Sequence, residues 1–258
     1  MKKFFAILLA VSVMLTGCQV TKKTASRAAG IQDKVKVVAH RGYHPSPEYP
    51  ENSIASLKYA QKLGVYGSEF DVWRTADGGL YVNHDRSFKG VNLAKSTSDV
   101  VGELTLSNGE KMPTLRAYLE QGKKVPSVKL ILELKHYEAA DGSVALVKEL
   151  GIEKQVEWIA FSYEACKRVH ELLPDAIVQY LNGDKSPSEV LADGIVAIDY
   201  SANKLKSHPE WIKEAHDNGM FVNVWTVNSD FEYWIDQGVD VITTNESEAL
   251  LNLLKSMK

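Results

Sequence analysis

Val128-Lys129-Leu130-Ile131-Leu132-Glu133-Leu134-Lys135 is apolar, apart from Lys129, until it ends on Glu133 and Lys135. A strand with water on one side alternates apolar and polar residues, whereas a strand covered on both faces reads as a near-continuous apolar run. Side chains along a strand repeat with a period of two, so Glu133 and Lys135 share one face while Leu132 and Leu134 take the other. The stretch therefore reads as a strand of a covered parallel sheet whose carboxyl end carries charge into a buried place.

Seven more runs rich in Val, Ile and aromatics flank it, at 35–40, 66–73, 156–161, 176–181, 194–199, 220–227 and 239–244. Between most of them lie amphipathic stretches of helical period, at 52–63, 115–121, 143–150, 163–173, 209–218 and 231–237, with 247–254 closing the chain. Eight β-then-α units predict an α/β fold, a (β/α)8 TIM barrel, with a doubly wound open sheet as the rival arrangement. The fifth unit allows only a short helix over 185–191. Residues 86–112, with Gly90, Gly102 and Gly109, have no clear period and read as a small insertion after the second strand, over one end of the barrel.

At 258 residues and 45% hydrophobic, the chain has enough apolar mass for one large core. The formal net charge of -3, with Lys and Arg spread along the chain, offers no broad basic face and excludes nucleic acid as the expected partner. Lys2 and Lys3 precede an apolar run over 4–16 that is shorter than the roughly 20 residues of a membrane-spanning helix, so 1–17 reads as a signal peptide. Its end, Leu15-Thr16-Gly17-Cys18, resembles the lipobox of bacterial lipoproteins, in which the cysteine is lipidated. The expected organisation is a signal over 1–17, a lipidated amino terminus and tether over 18–33, and one catalytic domain over 34–258. That makes the expected location an exported, membrane-anchored one, periplasmic or cell-surface. With Cys18 lipidated, Cys166 has no partner for an intrachain disulfide and reads as a small buried hydrophobe.

Reacting groups of a barrel stand where strands end and loops begin. The first strand ends Val37-Val38-Ala39-His40-Arg41-Gly42, the second contains Glu69-Phe70-Asp71, and the third ends on Glu133 and Lys135. Glu69 and Asp71 share a face, as Glu133 and Lys135 do. Buried carboxylates need a cation. Hard oxygen donors, without a Cys/His cluster of zinc spacing, point to one divalent cation, Mg2+ or Ca2+.

After the second strand, Asp77-Gly78 signals a two-residue hairpin turn. With Ala76 paired to Gly79, Trp73 would face Val82 and Asp71 would face His84. The expected turn thus delivers His84 to the carboxylates. Two histidines beside a carboxylate-bound cation suit hydrolysis of a phosphodiester, in which one group removes a proton and another protonates the leaving oxygen. His44, His136, His170, His208 and His216 read as surface or satisfied core residues.

His40-Arg41-Gly42, Pro50-Glu51-Asn52-Ser53, Glu69-Phe70-Asp71-Val72, His84-Asp85, Leu132-Glu133-Leu134-Lys135, Val224-Trp225-Thr226-Val227-Asn228 and the run from Gly238 to Asn245 together resemble the glycerophosphodiester phosphodiesterase family, in order and over nearly all of the expected mature chain. The resemblance implies a (β/α)8 barrel in which His40 and His84 act as general acid and base. It implies a metal at Glu69, Asp71 and Glu133, phosphate held by Arg41 and Lys135, Glu51 near the site, and Trp225 lining the substrate pocket. The chain departs from the family pattern at Ser53, at Ala160-Phe161-Ser162 and at Asn245, positions expected to leave the acid, the base and the metal ligands untouched. The implied reaction is hydrolysis of a small-molecule glycerophosphodiester to an alcohol and sn-glycerol 3-phosphate. The alternatives are a phosphodiesterase acting on intact phospholipid or another phosphodiester, and a catalytically silent phosphodiester-binding lipoprotein. Oligomeric state is open at this level.

Overall fold

The structure, a computed structural model, describes residues 35–257, so the expected signal, the tether and Cys18 lie outside the described residues. Eleven strands appear among them: β1 (Lys36–Ala39), β2 (Gly67–Arg74), β3 (Leu80–Val82), β4 (Ser87–Phe88), β5 (Val91–Asn92), β6 (Lys129–Leu134), β7 (Val156–Ala160), β8 (Val178–Tyr180), β9 (Ala197–Ser201), β10 (Phe221–Trp225) and β11 (Val241–Thr244). The helices are α1 (Ile54–Leu63), α2 (Ser98–Gly102), α3 (Leu115–Lys123), α4 (Ala140–Leu150), α5 (Tyr163–Leu172), α6 (Pro187–Ala192), α7 (Ala202–Ser207), α8 (Glu210–Asp217), α9 (Phe231–Asp236) and α10 (Ser247–Ser256).

The strands β1, β11, β10, β9, β8, β7, β6 and β2 pair in that order, all parallel, and β1 pairs with β2 through Val38–Gly67 and Ala39–Ser68 to close the ring. Eight strands closed this way, each followed by at least one helix, make the expected TIM barrel and exclude the open sheet. β3 is an antiparallel appendage on β2.

The period of two divides every barrel strand between two environments. Outward residues such as Val37, Phe70, Leu132, Trp158, Ile198, Val222 and Ile242 join one large apolar cluster with the helix residues Leu57, Leu119, Val144, Val169, Trp234 and Leu250. Each fully buried Leu or Phe of this layer contributes about 2 kcal/mol relative to exposure. Inward residues are mixed: Val38, Ile131, Ile159, Leu181 and Val241 form a small apolar plug. Glu69, Asp71, Glu133, Asp199 and Asn223 are also buried. The continuous apolar look of VKLILELK thus came mainly from the outward face plus Ile131.

The insertion is built of pieces too short to show a period. β4 and β5 pair around Lys89 and Gly90, both at positive φ (48° and 81°), as a tight primed turn requires. A 3-10 turn over Leu93–Lys95 and the five-residue α2 follow. Trp73, Tyr81, Leu93, Val101 and Met112 pin the insertion to the hairpin as a separate apolar cluster. α7, absent from the sequence reading, buries Leu205 alone and starts on a Ser201 cap, so it carries no amphipathic signal. In the weak fifth unit, α6 is short as expected and is held by a Ser186–Glu189 capping box with Pro187 in its first turn.

Candidate active site

The amide of His40 donates to the Thr244 carbonyl at 3.0 Å, so the ladder runs one residue past β1 and the period of two turns His40 inward with Val38. Arg41 and Gly42 then adopt left-handed φ of 55° and 77° and turn the chain away. A Cβ on Gly42 would run into Ser56, whose side chain completes the capping box with Ser53 at the start of α1. We expect Gly42→Ala to cost about 2 kcal/mol, read as a fall in Tm of about 4–8 °C. The same turn points the Arg41 amide at Glu69 Oε2, 2.8 Å away.

Glu69 and Asp71 from β2 and Glu133 from β6 are all buried and each offers an oxygen within 4.8 Å of the others'. Asp71 and Glu133 are directly paired in the parallel register, which is why residues 62 apart in sequence meet. Lys135 Nζ lies 3.0 Å from Asp71 Oδ1 and 2.7 Å from Glu133 Oε1. Burial would lower Lys135, but Asp71 and Glu133 raise it to about 12. Burial, and then the charge of Asp71, push Glu133 up to about 7. Burial, Asp71 and Glu133 likewise raise Glu69 well above the usual carboxylate range. Asp71 goes the other way: burial opposes ionisation, but Lys135, His84 and the Asn52 amide outweigh it.

Among the described residues Lys135 is the one cation that touches the three-carboxylate cluster, with Arg41 farther off, and Glu69 Oε1 is buried without a hydrogen-bond partner. An orphaned carboxylate oxygen in a cluster of hard donors fits a divalent cation. Arg41 approaches from the first strand, its Nε 3.9 Å from Asp71 Oδ2 and its Nη1 2.9 Å from Glu51 Oε2. The exposed Glu51 thus touches the guanidinium rather than the acidic cluster.

The β2–β3 hairpin differs from expectation by one residue. Trp73 faces Tyr81 and Val72 faces Val82, so Asp71 opposes Asn83, whose amide donates to the Asp71 carbonyl at 3.0 Å. The loop has three residues, Ala76-Asp77-Gly78, with Gly78 at φ 97°; the Thr75 amide donates to the Gly79 carbonyl at 2.8 Å and the Thr75 carbonyl accepts from the Gly78 amide at 3.1 Å. The cause is Asp77: its carboxylate takes hydrogen bonds from Thr75 Oγ1 and from the Ser98 amide and hydroxyl, tertiary bonds a turn signature does not contain. The direct Asp71–His84 pairing is therefore absent. His84 still comes within electrostatic range of Asp71 because β3 ends at Val82, after which strand parity no longer sets side-chain direction. His84 Nδ1 lies 2.8 Å from Asp85 Oδ1, and its carbonyl accepts the Trp73 indole proton at 3.1 Å.

Two residues gain roles the sequence reading did not assign. Asn52 sits at φ 58°, which Asn tolerates better than most residues. It clamps Asp71 with both ends, accepting from its amide at 3.1 Å and donating to Oδ2 at 2.8 Å. Asn245 Oδ1 lies 2.8 Å from His40 Nδ1, so one of the departures expected to leave the acid–base pair untouched contacts it directly. Asn245 follows β11, and only the β1–β11 pairing brings it to a residue 205 positions away. Burial drives His40 down to about 4, with the Asn245 bond opposing, so the ring is neutral at ordinary pH. Ser53 departs from the pattern without consequence for the site's shape, since it caps α1.

Trp225, at the end of β10, donates its indole proton to the Asp199 carbonyl at 3.0 Å and meets the exposed Phe161 edge-on at 5.6 Å, an aromatic wall at the barrel mouth. His208 pairs with Glu210 and His216 with Asp240, away from the cluster. His136 accepts the Arg74 amide on Nε2 at 3.1 Å. Cys166 is buried, and burial pushes its thiol up to about 12, as expected of an inert hydrophobe.

Comparison with known proteins matches the Glycerophosphoryl diester phosphodiesterase family over residues 40–249. A glycerophosphodiester phosphodiesterase of Caldanaerobacter subterraneus subsp. tengcongensis is 28% identical, covering 86% of this chain and 98% of its own. The crystal structure of a glycerophosphodiester phosphodiesterase from Parabacteroides distasonis is 43% identical with a TM-score of 0.86, covering 88% of this chain and 99% of that one. An Oleispira antarctica phosphodiesterase, solved with the product sn-glycerol-3-phosphate, shares the fold at 20% identity and a TM-score of 0.74, covering 87% of this chain and 98% of its own.

Proposed function

This chain belongs to the glycerophosphoryl diester phosphodiesterase family and is a phosphoric diester hydrolase, and from that premise we propose that it cleaves glycerophosphodiesters to an alcohol and sn-glycerol 3-phosphate, using His40 and His84 as acid and base and one divalent cation at Glu69, Asp71 and Glu133. The observation that carries the reading is the buried carboxylate triad, its oxygens within 4.8 Å, with Glu69 Oε2 4.0 Å from His40 Nε2 and Glu69 Oε1 lacking a hydrogen-bond partner among the described residues.

A bound cation, Mg2+ or Ca2+, would supply charge neutralisation for the phosphoryl oxygens. Arg41 and Lys135 add fixed positive charge; Arg41 Nε is a buried donor without a hydrogen-bond acceptor among the described residues, as a site for an incoming phosphate oxygen requires. One histidine takes the proton of the attacking hydroxyl as its oxygen bonds to phosphorus. The other gives a proton to the alcohol oxygen as its bond to phosphorus breaks. Where the attacker is a hydroxyl of the substrate's own glycerol, the first product is a cyclic phosphate that water then opens with the roles exchanged. Asn245 holds His40 by Nδ1, leaving Nε2 for the reaction, and Trp225 with Phe161 offers an apolar wall to the glycerol carbons.

Purified protein with Mg2+ or Ca2+ should release glycerol phosphate from members of a glycerophosphodiester panel. Release from none of them overturns the reading. Because Asn52 orients Asp71, Asn52→Ala should weaken the cation about 10- to 100-fold, measured by calorimetric titration; an unchanged Kd would remove Asp71 from the ligand set. For the amino-terminal segment the reading is acylation of Cys18 after export, tested by mass spectrometry of the membrane fraction and by Cys18→Ala. Among the described residues no helix is long and apolar enough to cross a membrane.

A further inference from the structure

A cleft of about 410 Å3 opens between the β2–β3 hairpin, the insertion and the loop after β6, lined among others by Trp73, Arg74, Arg86, Lys135, His136 and Glu138. It adjoins the acidic cluster through Lys135, whose Nζ reaches Asp71. Trp73 lines it as well and donates to the His84 carbonyl, so the cleft and the reacting centre share a wall.

The charge in this cleft is one-sided. Lys135 is already taken up by Asp71 and Glu133, which leaves Arg74 and Arg86 against a single carboxylate, Glu138, itself 2.8 Å from His136 Nδ1 and within electrostatic range of Arg74. Among the described residues the Arg86 guanidinium makes no hydrogen bond or ion pair, and that of Arg74 has only the Thr75 carbonyl at 3.5 Å, beyond a good bond. Two guanidinium groups that make no ion pair among the described residues, beside the acidic cluster, are a ready site for an anion, since their forked donors match phosphate or carboxylate. A cationic alcohol such as choline would meet like charge here. The ring that could cage it, Trp73, is buried against Tyr81, Leu93 and Met112.

We propose that this cleft receives the alcohol side of the diester and selects alcohols bearing a second anionic group, a phosphate or a carboxylate. The volume suits a small polar moiety. The proposal rests on the glycerophosphodiester reading above and adds a substrate class to it.

The test compares kcat/KM of the cation-loaded protein on four diesters: glycerophosphoglycerol, the same molecule with a terminal phosphate, the corresponding glyceric acid diester, and glycerophosphocholine. The terminal phosphate should raise kcat/KM at least about tenfold over glycerophosphoglycerol, the carboxylate should raise it less, and choline should lie lowest. Arg86→Gln, an exposed change that disturbs no core packing, should cut the phosphate preference several-fold, and the Arg74→Gln/Arg86→Gln pair should bring it to about one. Equal kcat/KM on all four in the wild type, or a preference unchanged in the double variant, overturns the assignment. Hydrolysis of none of the four overturns the glycerophosphodiester reading itself, and this inference with it.

Discussion

His84→Ala should lower kcat for glycerophosphodiester hydrolysis about a thousandfold, while Tm moves by no more than about 2 °C. The asymmetry follows from where the ring sits. It is one-third exposed and, among the described residues, its ring hydrogen-bonds Asp85 alone, so the fold loses little with it. His40→Ala should cost as much activity and somewhat more stability, because its ring is mostly buried and its loss strands Asn245 Oδ1. An activated diester separates the two roles. With a p-nitrophenyl leaving group no proton is needed at the departing oxygen, so the variant lacking the acid should recover most of its rate and the variant lacking the base should not. Near-wild-type turnover in either alanine variant would remove that histidine from the mechanism.

Chelation should extinguish turnover, and restoring the cation should raise Tm by about 5–10 °C at a hundredfold its Kd, where linkage supplies about 2.7 kcal/mol. The size of the shift should depend on pH. In the cation-free protein Glu133, at about 7, and Glu69 hold protons that the unfolded chain releases above the ordinary carboxylate range. Raised carboxyl groups favour the fold below their unfolded value and lose that contribution as pH rises toward 7. Asp71, held low, contributes in the opposite sense: its share is present above the ordinary range and is lost only on acidification. Two raised groups against one lowered group make the cation-free protein less stable at pH 7.5 than at pH 5.5. A cation that replaces those protons should therefore stabilise more at pH 7.5 than at pH 5.5. Equal shifts at the two pH values, or full activity after exhaustive chelation, would remove Glu69 and Glu133 from the ligand set.

Much of the barrel was legible because its signals are local and repeated. Covered strands such as β6 and β7 are short apolar runs, and helices such as α3 and α5 are amphipathic over about three turns. The triad was legible because parity along β2 and β6 is set by the backbone alone: Glu69, Asp71 and Glu133 had to share their strands' inward face once Phe70 and Leu132 were assigned to the helices. The short pieces 87–102 and 202–207 were not, since two to six residues do not establish a period.

What the amino-acid sequence determined by itself was the alternation of strands and helices, the charge at the carboxyl ends of three strands, and which residue types could hold a cation and move a proton. Tertiary structure alone decided the rest. Asp77 reached Ser98 and lengthened the hairpin loop by one residue, shifting the register that sequence parity had set for His84. Asn52 was tied to Asp71 and Asn245 to His40 across closures of the ring that no local pattern encodes. Arg74 and Arg86 were left lining a cleft whose one carboxylate, Glu138, pairs with His136 rather than with either of them. Backbone geometry repeats every two or 3.6 residues and is readable from one segment, whereas a hydrogen bond between segments depends on where each has been carried by all the packing between them.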